Sequence, residues 1–179
     1  MLRAVIFDLD GTLFDSHYDW KLIRKKLGVK DAPILSYLNN LTKEKKKKSY
    51  KLLETFEQTA TEGAVLRVGI KKLISYLGKK NIKKAIVTNN SRKSVFYLMK
   101  KWNLTFDTIV TRDDGVWKPS GKPLKIALKK LNVKMEDAVY IGNSDMDRKA
   151  AEELGIKFFM LREGKSAAEL IPIIEKFIL

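Results

Sequence analysis

The feature that most constrains this chain is an unbroken apolar run, Ala4-Val5-Ile6-Phe7, that stops at Asp8 and Asp10 and continues as Gly11-Thr12. Consecutive apolar residues without alternation predict a strand covered on both faces, as in a parallel sheet flanked by helices. Such a strand, ending in two carboxylates and a glycine, delivers them to its C-terminal edge. In open α/β sheets that edge is where ligands bind. Aspartate and glycine are also ordinary turn residues, so the pair needs partners elsewhere in the chain before it defines a site.

The remaining pattern predicts an α/β fold. Further strands are expected at 84–88, 106–110, 138–142 and 156–161. Helical patterns fall between them. Ile70, Leu73, Ile74 and Leu77 form a stripe ended near Gly78, and further helices are expected at 92–102, 121–131 and 147–154. Gly155 closes the last of these, and Ser166-Ala167-Ala168-Glu169 is a capping box opening a final helix. This alternation predicts a Rossmann-like parallel sheet with helices on its faces. Residues 16–62 instead carry only helical spacing: Trp20, Ile23 and Leu27 on one face before Gly28, a start at Asp31-Ala32-Pro33, and a stripe through Leu52, Leu53 and Phe56. The expected organisation is a core of residues 1–15 and 65–179, with a small α-helical module at 16–64 inserted after the first strand.

Composition removes several chemistries. The chain has no cysteine and one histidine, His17. Disulfides, thiolate catalysis and Cys/His zinc sites are thereby excluded. His17 lies in a polar stretch that reads as surface, and no G-x-S-x-G is present, which argues against a Ser-His-Asp triad. Gly115 to Lys122 mimics a phosphate-binding loop, but it is one residue too long and is followed by Pro123 where Ser or Thr is required. The net charge is +15, of which residues 16–64 contribute +5 and the rest of the chain +10. So even a spread does not mark a nucleic-acid-binding arm, and the run Lys43-Glu44-Lys45-Lys46-Lys47-Lys48 is expected to be a solvated helix face. No apolar run is long enough to span a bilayer, and four apolar residues before Asp8 do not make a signal peptide, so the expected location is cytoplasmic and no membrane partner is expected.

Four features follow strand ends in order: Asp8 and Asp10, then Thr88-Asn89, then Lys118-Pro119, then Gly142-Asn143-Ser144-Asp145-Met146-Asp147. In this order they resemble the four motifs of the haloacid dehalogenase (HAD) superfamily. Val-Ile-Phe-Asp-Leu-Asp-Gly-Thr is similar to the first motif and Ile-Val-Thr-Asn-Asn to the second. Lys-Pro is similar to the third and Ile-Gly-Asn-Ser-Asp-Met-Asp to the fourth. The resemblance covers essentially the whole chain, and the helical insert looks like the short C1-type cap of phosphoglycolate-phosphatase-like members.

The resemblance implies a Mg²⁺-dependent phosphatase acting on a phosphorylated small molecule. A carboxylate attacking a phosphate monoester meets like-charge repulsion, so a divalent cation is needed between them. Asp8 is expected to be nucleophile and metal ligand. Asp10 is expected to be general acid and then base, and a further metal ligand. Thr88 and Asn89 are expected to hold phosphoryl oxygens, and Lys118 to neutralise charge there. Asn143 and Asp147 complete the expected metal set. The family usually has Asp where this chain has Asn143, which lowers the expected affinity for Mg²⁺ or the activity. A weakly active or non-catalytic binding protein of the same fold, and a phosphatase of nucleic-acid ends, are the alternative expectations. Oligomeric state is open between monomer and homodimer.

Overall fold

A computed structural model describes residues 1–178. The elements in chain order are β1 (Ala4–Phe7), β2 (Phe14–Asp15), α1 (Trp20–Leu27), α2 (Ile34–Asn39), α3 (Lys43–Gly63), β3 (Val65–Leu66), α4 (Ile70–Lys79), β4 (Lys83–Val87), α5 (Arg92–Trp102), β5 (Thr108–Val110), α6 (Lys122–Leu131), β6 (Ala138–Gly142), α7 (Asp145–Leu154), β7 (Lys157–Met160) and α8 (Ile171–Glu175). They form two compact units, Met1–Asp15 with Val65–Leu179, and Ser16–Ala64.

In the first unit five strands form one sheet in the order β5-β4-β1-β6-β7, and every pairing is parallel. The expected α/β parallel sheet is therefore the observed one. β1 is central because it can be: Ala4, Val5, Ile6 and Phe7 have no polar atom that either face would have to solvate, and all four are fully buried. Leu73 and Leu77 of α4, Val95 and Leu98 of α5, and Leu124 and Ala127 of α6 are likewise buried. Parallel strands all end at the same edge, so Asp8, Thr88 and Asn143 emerge together from β1, β4 and β6. A separate two-residue ribbon pairs β2 antiparallel with β3, Phe14 opposite Leu66. Nothing in so short a stretch distinguishes a strand from a loop, and the sequence did not predict this ribbon.

The second unit consists of α1, α2 and α3. Ile23 and Leu27, Leu35 and Leu38, and Leu53 are among its buried apolar residues. Gly28 ends α1 at φ +70°, as its position predicts. Arg24 Nη1 donates to the carbonyls of Lys30 and Ala32, which fixes the α1–α2 connection. Lys46 Nζ donates to Asn39 Oδ1 (2.5 Å), and Asn39 Nδ2 donates to Tyr50 Oη (2.8 Å), tying the end of α2 to α3. The lysine run is the exposed helix face it is expected to be, forming the first turns of a 21-residue helix. One sequence expectation changes here. Trp20, expected on the buried face of α1, is 50% exposed and stacks on Tyr18 with ring centroids 4.5 Å apart. As the first residue of α1 it precedes the turns that bury Ile23 and Leu27. Among the described residues no helix is long and apolar enough to cross a membrane.

Candidate active site

Asp8 leaves the end of β1 with its N–H donating to the Ile141 carbonyl of β6 (2.9 Å), so the sheet ladder itself fixes its backbone. Its side chain is buried, and Lys118 Nζ lies 2.5 Å from its Oδ1. Lys118 is buried as well, and its three ammonium hydrogens have three acceptors: Asp8 Oδ1 (2.5 Å), Asp147 Oδ1 (2.5 Å) and Tyr140 Oη (3.2 Å). A lysine far from Asp8 in sequence thus sits at the centre of the acid cluster.

Asp147, at the third position of α7, is fully buried. Its Oδ1 accepts from Lys118 and from Tyr140 Oη (2.5 Å). Its Oδ2 accepts from Ser144 Oγ (2.5 Å), Ser144 N (3.0 Å) and Asn143 N (3.2 Å). Ser144 and Asp147 form the capping box of α7, so one carboxylate caps a helix and anchors Lys118. Gly142 is required for this approach: a Cβ there would stand 2.5 Å from Asp147 Cβ.

The electrostatics follow from one ammonium serving two carboxylates. Burial raises the pKa of Asp147, but the Lys118 ammonium and the hydrogen bonds from Ser144 and Tyr140 outweigh it and hold that pKa below the usual value. Asp8 lacks those extra donors. Burial, and then repulsion from Asp147, push it up to about 7, and Lys118 offsets only part of this. Burial would lower the Lys118 pKa, yet Asp147 and Asp8 beside it raise it above the ordinary value, so it stays charged. Burial, with Asp147 and Asp8 close by, pushes the Tyr140 phenol well above its usual pKa, so it remains a donor.

Asp10 is half-buried, and its Oδ2 accepts from Asn90 Nδ2 (3.1 Å). Thr88, at the end of β4, is buried and its Oγ1 accepts from Asn90 N (3.0 Å). The Asn89 side chain faces Lys118: its Oδ1 accepts from Lys118 N (2.8 Å) and its Nδ2 donates to Lys118 O (2.9 Å). This paired amide contact engages the main chain of Lys118. Asn143 is exposed, and its Oδ1 accepts from Thr12 Oγ1 (3.2 Å). Asp145 is 79% exposed and pairs with Arg148 at 3.7 Å.

The structure therefore gathers Asp8, Lys118 and Asp147 in one network. Asn90 links Asp10 to Thr88, and Asn143 is bonded to Thr12. Sequence reasoning missed Tyr140 and Asn90. Tyr140 sits in an apolar strand, where an aromatic reads as core. Asn90 follows two residues already assigned to the site, and only its contact with Asp10 distinguishes it.

A parallel α/β sheet whose central strand presents a buried aspartate to a buried lysine at its C-terminal edge forms a candidate active site. The chain belongs to the haloacid dehalogenase-like hydrolase family, whose model matches residues 5–161. It is 30% identical to an uncharacterised hydrolase of Saccharomyces cerevisiae, over 90% of this chain and 78% of that one. It is also 30% identical to the phosphoglycolate phosphatase of Aquifex aeolicus, over 87% of this chain and 83% of that one. A crystal structure of a HAD-superfamily hydrolase from Ehrlichia chaffeensis superposes with a TM-score of 0.69 at 26% identity, covering all of both chains. The chain is thus a hydrolase whose relatives include named phosphatases, and such phosphatases are generally metal-dependent.

The residues here suit a hard cation in chemistry and charge. Asp8, Asp10 and Asn143 offer oxygen donors only. Three carboxylates, Asp8, Asp10 and Asp147, stand against the single ammonium of Lys118. Among the described residues no three acidic or His side chains are arranged to hold a metal ion alone, so Asn143 and main-chain oxygens would have to complete the set.

Proposed function

We propose that this protein is a Mg²⁺-dependent phosphatase that hydrolyses small phosphate monoesters through an aspartyl-phosphate on Asp8. The observation that carries this reading is the closed contact between Asp8, Lys118 and Asp147, at 2.5 Å on both sides of the ammonium. An Asp8 carboxylate oxygen attacks phosphorus and the ester P–O bond breaks. Asp10, next to Asn90, gives its proton to the leaving oxygen. It then takes a proton from the water that displaces phosphate from Asp8. Lys118 balances charge on Asp8 and on the phosphoryl group. Thr88 Oγ1 accepts from Asn90 N and directs its own proton to a phosphoryl oxygen.

Asp8, Asp10 and Asn143 would hold Mg²⁺, which supplies charge neutralisation between nucleophile and phosphate. Asp147 we assign instead to positioning Lys118, since its carboxylate already receives five hydrogen bonds. Phosphoglycolate and other small sugar or nucleotide phosphates are the substrates to try first, given the relatives' names. The helical unit Ser16–Ala64 is assigned the role of substrate-selecting cap.

A screen of phosphorylated metabolites and p-nitrophenyl phosphate, with Mg²⁺ and with EDTA, tests this reading. Turnover with Mg²⁺ and none with EDTA is the expected result. No turnover at any Mg²⁺ concentration would instead favour a phosphate-binding protein without catalysis, the reading that Asn143 motivates. Asn143→Asp should lower the Mg²⁺ concentration for half-maximal activation by about 10-fold, because a ligand charge is added. An unchanged Mg²⁺ titration would remove Asn143 from the metal set.

A further inference from the structure

Arg67, directly after β3, takes no part in the chemistry above, yet it is only 5% exposed. A buried guanidinium is costly unless its donors are satisfied. Arg67 satisfies them with peptide carbonyls rather than carboxylates. Nη1 donates to Gly11 O, Nη2 to Arg162 O and Nε to Lys165 O. Its own main-chain N–H donates to Leu13 O (3.0 Å). Arg67 thus grips the turn after Asp10 twice and braces it against the loop that follows β7.

That brace has a firm footing. Ala167 N donates to Val68 O (2.9 Å), and a Cβ on Gly69 would stand 2.5 Å from Ala168 N. The segment carrying Arg67 is therefore packed tightly on residues 166–168. What it holds is a residue that would otherwise move freely. Gly11 has φ +77°, and glycine has the widest choice of backbone angles. Its N–H is fixed by Phe14 O (2.7 Å), and its carbonyl by Arg67. On its open side the Asn143 amide lies so close that a Cβ would overlap it. With both peptide planes of Gly11 pinned, the Asp10 backbone before it is pinned as well.

We infer that Arg67 is a positioning residue of the hydrolysis: it clamps the Gly11 carbonyl and so aims the Asp10 carboxyl at the leaving oxygen. The inference rests on the reading of Asp10 as general acid given above. A proton donor matters most when the leaving group is a poor one. An alkoxide needs the proton, whereas p-nitrophenolate leaves as a resonance-stabilised anion. A misaimed Asp10 therefore slows the first step, formation of the aspartyl-phosphate, selectively for alkyl phosphates, which a general loss of stability would not do.

The test compares p-nitrophenyl phosphate with the alkyl phosphate turned over fastest in the screen, phosphoglycolate being assayed first. Arg67→Met, assayed at saturating Mg²⁺ well below its melting temperature, should lose about 100-fold in kcat/KM on the alkyl ester and only about 3-fold on the aryl ester, since kcat/KM reports steps up to formation of the aspartyl-phosphate and omits the later hydrolysis that both esters share. Asp10→Asn in parallel should show the same asymmetry. Equal slowing of both esters by Arg67→Met, or a lowered melting temperature with kcat/KM intact, would overturn the role of Arg67 while asymmetry in Asp10→Asn left the general acid standing. Equal slowing in Asp10→Asn itself would overturn the reading of Asp10, and the inference with it. Arg67→Lys keeps the charge but spans fewer carbonyls, and should give a smaller loss of the same asymmetric kind. It carries the comparison if the methionine variant does not fold, and equal slowing there counts equally against the inference.

Discussion

Asp8→Asn is expected to abolish turnover of p-nitrophenyl phosphate, by at least about 10⁴-fold, and to make the metal-free protein more stable. The first effect follows from losing the attacking oxygen. The second follows from linkage. The folded protein holds the Asp8 proton up to about pH 7, whereas a free aspartate loses it near pH 3.8. Between those two values the folded state binds more protons than the unfolded one, so stability falls as pH rises through the window. Above pH 7 the cost of ionising Asp8 is complete, and Asn avoids it. In EDTA at pH 8 the variant should gain about 2 kcal/mol, or about 4–8 °C in Tm. The gain should shrink toward zero as the pH is lowered to 4. Thermal melts at pH 8, 6 and 4 check this, and a variant less stable than the parent at pH 8 would refute the electrostatic account. Saturating Mg²⁺ should reverse the ranking by binding the parent chain more tightly.

Lys118→Met carries the second large effect, with the opposite sign on stability. It leaves Asp8 and Asp147 buried side by side with no ammonium between them. Removing one partner from such a cluster costs about 3–5 kcal/mol. The loss should be greatest at high pH and relieved in acid, as both carboxyls take up protons. Adding Asp147→Asn to Lys118→Met should recover part of it, because one of the two stranded charges disappears. Turnover should fall about 10²–10³-fold for loss of the charge that faces the phosphoryl group. Chemical denaturation of the single and double variants measures the coupling directly, and additive effects would dissolve the cluster as an energetic unit.

The contrast between these two variants shows how far the sequence could be read. The central strand was legible because Ala4 to Phe7 admit no half-solvated arrangement, and Asp8 was legible because it interrupts them. Thr88, Lys118 and Asn143 were placed by their order after strand ends. Their individual contacts were not. The Asn89 side chain is bonded to the Lys118 main chain, an arrangement set by how two loops meet across the sheet edge. The Asp147 carboxylate receives hydrogen bonds from Tyr140, Ser144 and Lys118. No periodicity encodes that closure. Nor does it encode the guanidinium of Arg67, whose neighbours in sequence give no sign that its side chain ends against Gly11.

The sheet order also sets when activity can arise during synthesis. β1 is made first, yet both of its neighbours, β4 and β6, come much later in the chain. Asp8 takes its backbone partner from Ile141 and its charge partners from Lys118 and Asp147. The 139 residues from Leu9 to Asp147 take roughly 7–30 s to add at ordinary elongation rates. During that interval the nascent chain displays an apolar N-terminal strand without its sheet. Asp8 acquires its partners only once Lys118, Ile141 and Asp147 have been added, so a truncated product lacking β6 and α7 would carry the D-x-D motif without the charge network around it.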